Sequence, residues 1–135
     1  MNKLTVIIES APNNFSAYIK EIDGITAIGY TLLEMKQKIE EAIAVYKEIH
    51  EEDGYDIPEL LKGDYQLIFK LDVKSFLEVY SGILTKAGLE RLTGINQKQL
   101  WHYANGSVTP RKKQVEKIQN AVHQFGEELC SVEFC

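Results

Sequence analysis

TKAGLERLTGINQKQLWHYANG, residues 85–106, is the stretch on which the reading of this chain turns. Apolar residues recur at helical spacing on both sides of a Thr-Gly-Ile-Asn break, so the pattern predicts a helix, a tight turn and a second helix. Leu89 and Leu92 face inward from the first helix. Gly94 supplies the positive φ that the turn requires, Ile95 fills the angle between the helices, and Asn96 caps the second one. On that second helix Leu100, Tyr103 and Ala104 fall on the buried side, which leaves Gln97, Lys98, Trp101, His102 and Asn105 outward.

An outward face led by Gln, Lys and His matches what a DNA major groove offers. Gln can bond adenine through a donor and an acceptor together, and Lys can donate to guanine O6 and N7. Gln97, Lys98, Trp101 and His102 are therefore the candidate base-reading residues. Trp101 has a second reading, buried between Leu77 or Tyr80 and the rest of the helices. Candidate phosphate contacts are Lys86 and Asn96 at the starts of the two helices, and Ser107, Arg111 and Lys112 around the start of the next. At that next start, helix amides and dipole add attraction for an anion. The competing reading is a plain helical bundle with a solvated polar face. His50 and His123 read as ordinary histidines.

Outward from this stretch, the chain has 135 residues, 44% of them apolar and 26% charged, which bounds it to one compact domain or two very small ones. A large multidomain enzyme and wholesale disorder are both excluded. The formal net charge is −5, but it is unevenly spread. Residues 1–70 carry 7 Lys, no Arg and 13 Asp/Glu, whereas residues 85–125 carry 5 Lys and 2 Arg against 2 Glu. Such asymmetry predicts an acidic half with one task and a basic half that meets polyanions. No apolar stretch is long enough for a signal peptide or a membrane span, so a cytoplasmic protein is expected. Cys130 and Cys135 read as free thiols, because C-x4-C without nearby His lacks zinc-site spacing. No metal or cofactor is expected.

In the first half, Leu4, Val6 and Ile8 alternate with Thr5, Ile7 and Glu9, and Phe15, Ala17 and Ile19 alternate with Ser16, Tyr18 and Lys20 after a turn at Pro12-Asn13-Asn14. A hairpin is expected, then a third strand over Ile25 to Tyr30. Thr31-Leu32-Leu33-Glu34 is a capping box that starts a helix with Leu32, Met35, Ile39, Ala42, Ile43, Tyr46 and Ile49 inward. Tyr65 to Leu71 alternates again, giving βββαβ. After Asp72 the period turns helical, over Val73 to Leu84, Thr85 to Leu92, Asn96 to Ala104 and Pro110 to Phe125. Thr109 is read as the cap of the last helix, with Pro110 at its first position and Gly126 as its stop. The apolar tail Leu129, Val132 and Phe134 is expected to pair as a strand. The fold class expected is α+β, with modules over 1–72 and 73–135.

Thr93-Gly94-Ile95-Asn96-Gln97-x-Gln99-Leu100-x-x-Tyr103-x-x-Gly106, followed by a Pro-led helix, resembles the phage-repressor (Xre/Cro-like) helix-turn-helix family across residues 75–125. Where that family commonly has a small residue inside the first motif helix, this chain has Glu90. The first half is similar to the HicB antitoxin family, whose third strand leads into Gly-x-Thr-x-x-Glu, here Gly29 to Glu34. The ending Ile118 to Phe134 is similar to the tail of HicB proteins that carry a helix-turn-helix. Glu21 to Ile25 stands where many members have Pro-x-Leu-Pro-Gly-Cys.

The resemblance implies a partial RNase-H-like first half that neutralises a small basic HicA-like mRNA-cleaving toxin. It also implies a second half that binds double-stranded operator DNA and dimerises or assembles further, repressing the protein's own operon. The alternative is a stand-alone helix-turn-helix regulator whose first module senses a ligand or mediates assembly. An enzyme is not expected: a metal-dependent nuclease needs converging carboxylates, and the strands offer only Glu9 with Glu21 and Asp23 at loop edges.

Overall fold

The β1 strand, Asn2–Ser10, places Leu4, Val6 and Ile8 on one face, and all three are buried in the computed structural model, which describes residues 1–135. A 2.0-residue period does this by sending successive side chains to opposite faces of the sheet. β2 (Phe15–Ile19) pairs antiparallel with β1, matching Ile8 to Ala17 and Val6 to Ile19. β3 (Thr26–Gly29) pairs antiparallel with β2, and β4 (Tyr65–Lys70) lies parallel to β1 on its other side. The sheet order is β3-β2-β1-β4, a mixed sheet. β3 begins at Thr26 because Ile25 is drawn into the core, 1% exposed, with its carbonyl accepting from the Ile19 amide.

The α1 helix, Leu32–Glu52, covers one face of this sheet through Met35, Ile39 and Ile43. Its start follows the capping box with one shift. Thr31 Oγ1 accepts from the Glu34 amide at 3.0 Å, but the Glu34 carboxylate reaches the Tyr30 amide at 3.2 Å rather than that of Thr31. Lys38 pairs with Glu34 at 3.0 Å and donates to the Ile28 carbonyl at 2.9 Å, tying α1 to β3. Gly29 is needed where helix and strand close up, since a Cβ there would stand 2.8 Å from Met35 Cγ. Ile49, expected inward, is exposed, because the inward stripe ends with Tyr46 in the helix's last turns. A single 3-10 turn, Glu59–Leu61, buries Leu61 before β4.

The chain divides into two compact units, Met1–Asp72 and Val73–Cys135. The second unit is all helix: α2 (Val73–Val79), α3 (Lys86–Thr93), α4 (Gln97–Asn105) and α5 (Lys112–Cys130). Its core joins Leu77, Leu89, Ile95, Leu100, Tyr103 and Ile118, with Val73, Phe76, Leu92 and Val122 packed against it. The whole is mixed α and β, with a four-stranded sheet and five α-helices.

Four expectations for this unit are corrected. The first helix ends at Val79 rather than Leu84, because the Tyr80 carbonyl turns to accept from Ile83 and Leu84 in a separate turn. α5 starts at Lys112, two residues beyond Pro110: Arg111 is extended, ψ 158°, and its carbonyl takes the first amides, from Gln114 and Val115. Thr109 is therefore not the cap. Gly126 does not end α5, which continues to Cys130. Gly126 does not adopt positive φ, and the Glu127-Glu128-Leu129 that follows favours helix enough to carry it. Ser131 closes the helix instead, its hydroxyl donating to the Glu128 carbonyl at 2.6 Å. The tail forms no strand: Leu129 lies in α5, while Val132 and Phe134 are exposed.

Candidate nucleic-acid interface

Thr85 opens α3, its hydroxyl accepting from the Gly88 amide at 3.0 Å, and Asn96 opens α4 in the same way, its carbonyl oxygen accepting from Gln99 at 2.8 Å. Between them Gly94 turns the chain at φ 77°. Thr93, only 5% exposed, fastens this corner twice, donating to the Leu89 carbonyl at 2.7 Å and accepting from the Ile95 amide at 3.1 Å. Ile95 then enters the core. Sequence reading finds the glycine and the cap. It misses the threonine, whose hydroxyl matters only because the turn folds back over it.

With Leu100 and Tyr103 buried, α4 presents Gln97, Lys98, Trp101 and Asn105 on its exposed side. Trp101 is 54% exposed, so it belongs to the surface and not between Leu77 or Tyr80. Its ring meets that of His102 edge-on, centroids 5.2 Å apart. His102 departs from the expected outward pose. It is half-buried, and its Nδ1 is shut from solvent with no hydrogen-bond partner. With Nδ1 shut in, any outward hydrogen bond of this ring rests on Nε2.

Gln97 is not a free side chain. Its amide nitrogen donates to the Glu90 carboxylate of α3 at 3.1 Å. No seven-residue spacing across a turn could be read as a contact before the angle between α3 and α4 was known.

The candidate phosphate contacts are distributed over three helix starts. Lys86, half-buried, is the first residue of α3, and Asn96 is exposed but its carbonyl oxygen is committed to the cap. Ser107 is held after α4, both its amide and its hydroxyl donating to Asn105 Oδ1. Arg111 and Lys112 are exposed at the start of α5. No side chain caps that start, and its first turn holds no carboxylate. Cations there oppose the helix dipole, an arrangement that an incoming anion relieves. None of Lys98, Arg111 and Lys112 enters one of the chain's ion pairs.

No group of three or more His, Cys, Asp and Glu is placed to hold a metal ion. No helix is long and apolar enough to cross a membrane. Against known proteins, the chain matches no family model, no curated protein and no solved structure.

Proposed function

We propose that this chain is a transcriptional repressor of the antitoxin type. In this reading α3, the Gly94 turn and α4 form a helix-turn-helix, and α4 enters the major groove of an operator. Gln97, Lys98 and Trp101 meet base edges, His102 contributes through Nε2, and Lys86, Asn96, Ser107, Arg111 and Lys112 meet the backbone. The observation that carries it is the two-sidedness of α4: Leu100 and Tyr103 are fully packed while its amide, ammonium and indole groups stand in solvent. A dimer would engage two half-sites about 34 Å apart.

The first unit, acidic and without arginine over residues 1–70, is the proposed cover for a small basic RNA-cleaving toxin. Opposite charge speeds such an encounter and fixes its orientation. The two modules thus correspond to 1–72, partial RNase-H-like and toxin-binding, and 73–135, DNA-binding and dimerising.

Gel-shift titration on the DNA upstream of the coding sequence tests the repressor reading. A discrete complex that survives excess nonspecific competitor is expected. Its absence at micromolar protein, with the chain folded, would leave only a helical bundle. Purification of the native complex tests the toxin reading, with a small basic protein expected alongside the chain.

A further inference from the structure

A glutamine side chain read alone is ambiguous toward bases. Its amide offers two N–H donors and one carbonyl acceptor, and rotation presents either the nitrogen or the oxygen to a given atom. In this protein the ambiguity is removed by a neighbour. Glu90 of α3 stands at 3.1 Å from Gln97 Nε2, and an ionised carboxylate only accepts. The sense of that hydrogen bond is therefore fixed by chemistry: the nitrogen, not the oxygen, faces Glu90.

One N–H is thereby taken. What remains for a partner is one N–H and the carbonyl oxygen. In the major groove adenine presents an acceptor at N7 and a donor at its N6 amino group, whereas guanine presents two acceptors, N7 and O6. The residual pair on Gln97 complements adenine. To satisfy guanine it would have to use both N–H groups, and the second is held by Glu90. We propose that Glu90 is a positioning residue that sets Gln97 to read adenine and reject guanine, a role that rests on the DNA-binding reading above.

The placement supports this. Gln97 is the first residue of α4, exposed, in the part of a groove-entering helix that reaches deepest. Glu90 is half-buried on α3 and forms no ion pair, so its carboxylate is not drawn off by a cation. A carboxylate near a duplex also repels phosphates. Removing it should therefore strengthen overall binding while loosening the choice of base, two effects of opposite sign that loss of a merely structural contact would not produce together.

The test begins with duplexes selected from a random pool by the full-length wild-type chain, followed by exchange of each A·T pair for G·C. At one position per half-site the wild type should prefer adenine over guanine, and Gln97→Ala should abolish that preference. Glu90→Ala and Glu90→Gln should cut the same preference about tenfold, the order of discrimination that a good bidentate base contact supplies. Glu90→Gln is isosteric but can donate as well as accept, so it keeps the contact and loses its fixed sense. In the Gln97→Ala background, neither Glu90 substitution should change base preference further. If the variants keep the wild-type adenine-to-guanine ratio, the role of Glu90 is overturned and the repressor reading stands. If the wild type selects no sequence at all, both fall together. An equal loss of affinity on every duplex, with a lowered melting temperature, would make Glu90 a structural contact and overturn the proposal.

Discussion

Thr93 shows how a single hydroxyl can hold the corner on which the candidate interface depends. It is buried, and it bonds both the carbonyl before the turn and the amide after it. Thr93→Val keeps the shape, removes both bonds and leaves the Ile95 amide buried without its acceptor. The expected cost is about 1–3 kcal/mol to the second unit, read from urea unfolding, whereas Thr93→Ser should cost less. At the exposed residues the expectation is functional. Lys98→Ala should weaken DNA binding by about 1–3 kcal/mol and relax base preference, while Arg111→Ala should weaken all sequences alike. In the first unit, Tyr65 donates to Glu40 at 2.8 Å, and burial together with that carboxylate pushes its phenol from 10.0 up to about 12. A raised pKa means the folded state holds the proton longer. The contribution is thus whole below pH 10 and is lost as pH rises toward 12. Tyr65→Phe should flatten the fall in stability across that alkaline window, measured as the difference from wild type in thermal unfolding.

Two glycines separate what an element's interior and its boundary demand. Gly94 sits at φ 77°, with nothing nearer to a Cβ than the tip of Lys117 at 3.7 Å. Gly94→Ala therefore meets only backbone strain, and the second unit should lose about 1–2 kcal/mol. Gly126 lies within α5 in open space, and Gly126→Ala should raise stability by about 0.5–1 kcal/mol in the same urea titration. The same contrast explains which elements the sequence made legible. The α3–α4 pair was readable because turn, cap and apolar stripe agree at Leu89, Gly94, Ile95 and Asn96. The ends of α5 were not. Pro110 and Gly126 look like punctuation in isolation, yet an extended Arg111 and the run Glu127 to Leu129 decide the boundaries. The strands were legible from alternation, but the parallel placing of β4 against β1 depends on where α1 returns the chain. Within the site, exposure on α4 followed from its period. The half-burial of His102 and the hold of Glu90 on Gln97 depend on how neighbouring helices cross, which no one-helix pattern contains.

Over the whole molecule the charge is −5, a sign that taken alone argues against binding DNA. The total is the wrong quantity. At physiological ionic strength the field of an exposed charge fades within about 8 Å, so a phosphate meets local sign. Locally, residues 85–125 carry seven Lys and Arg against two Glu, and the cations at the start of α5 have no carboxylate in the first turn to neutralise them. Residues 1–70, with the opposite excess, belong to the first unit. The two units should then answer salt and mutation separately. Each phosphate neutralised by a cation contributes about −0.9 to the slope of log affinity against log salt. Arg111→Ala should reduce the magnitude of that slope by about 1 per bound half-site, with sequence preference unchanged. Glu51→Gln with Glu52→Gln, both exposed on the first unit, should leave the slope as it is. The same pair should slow association with a basic protein partner at low salt. Fluorescence anisotropy across a salt series measures the slopes. If the Arg111 variant gives the wild-type slope, the start of α5 does not touch phosphate, and the backbone contacts must be sought elsewhere on the second unit.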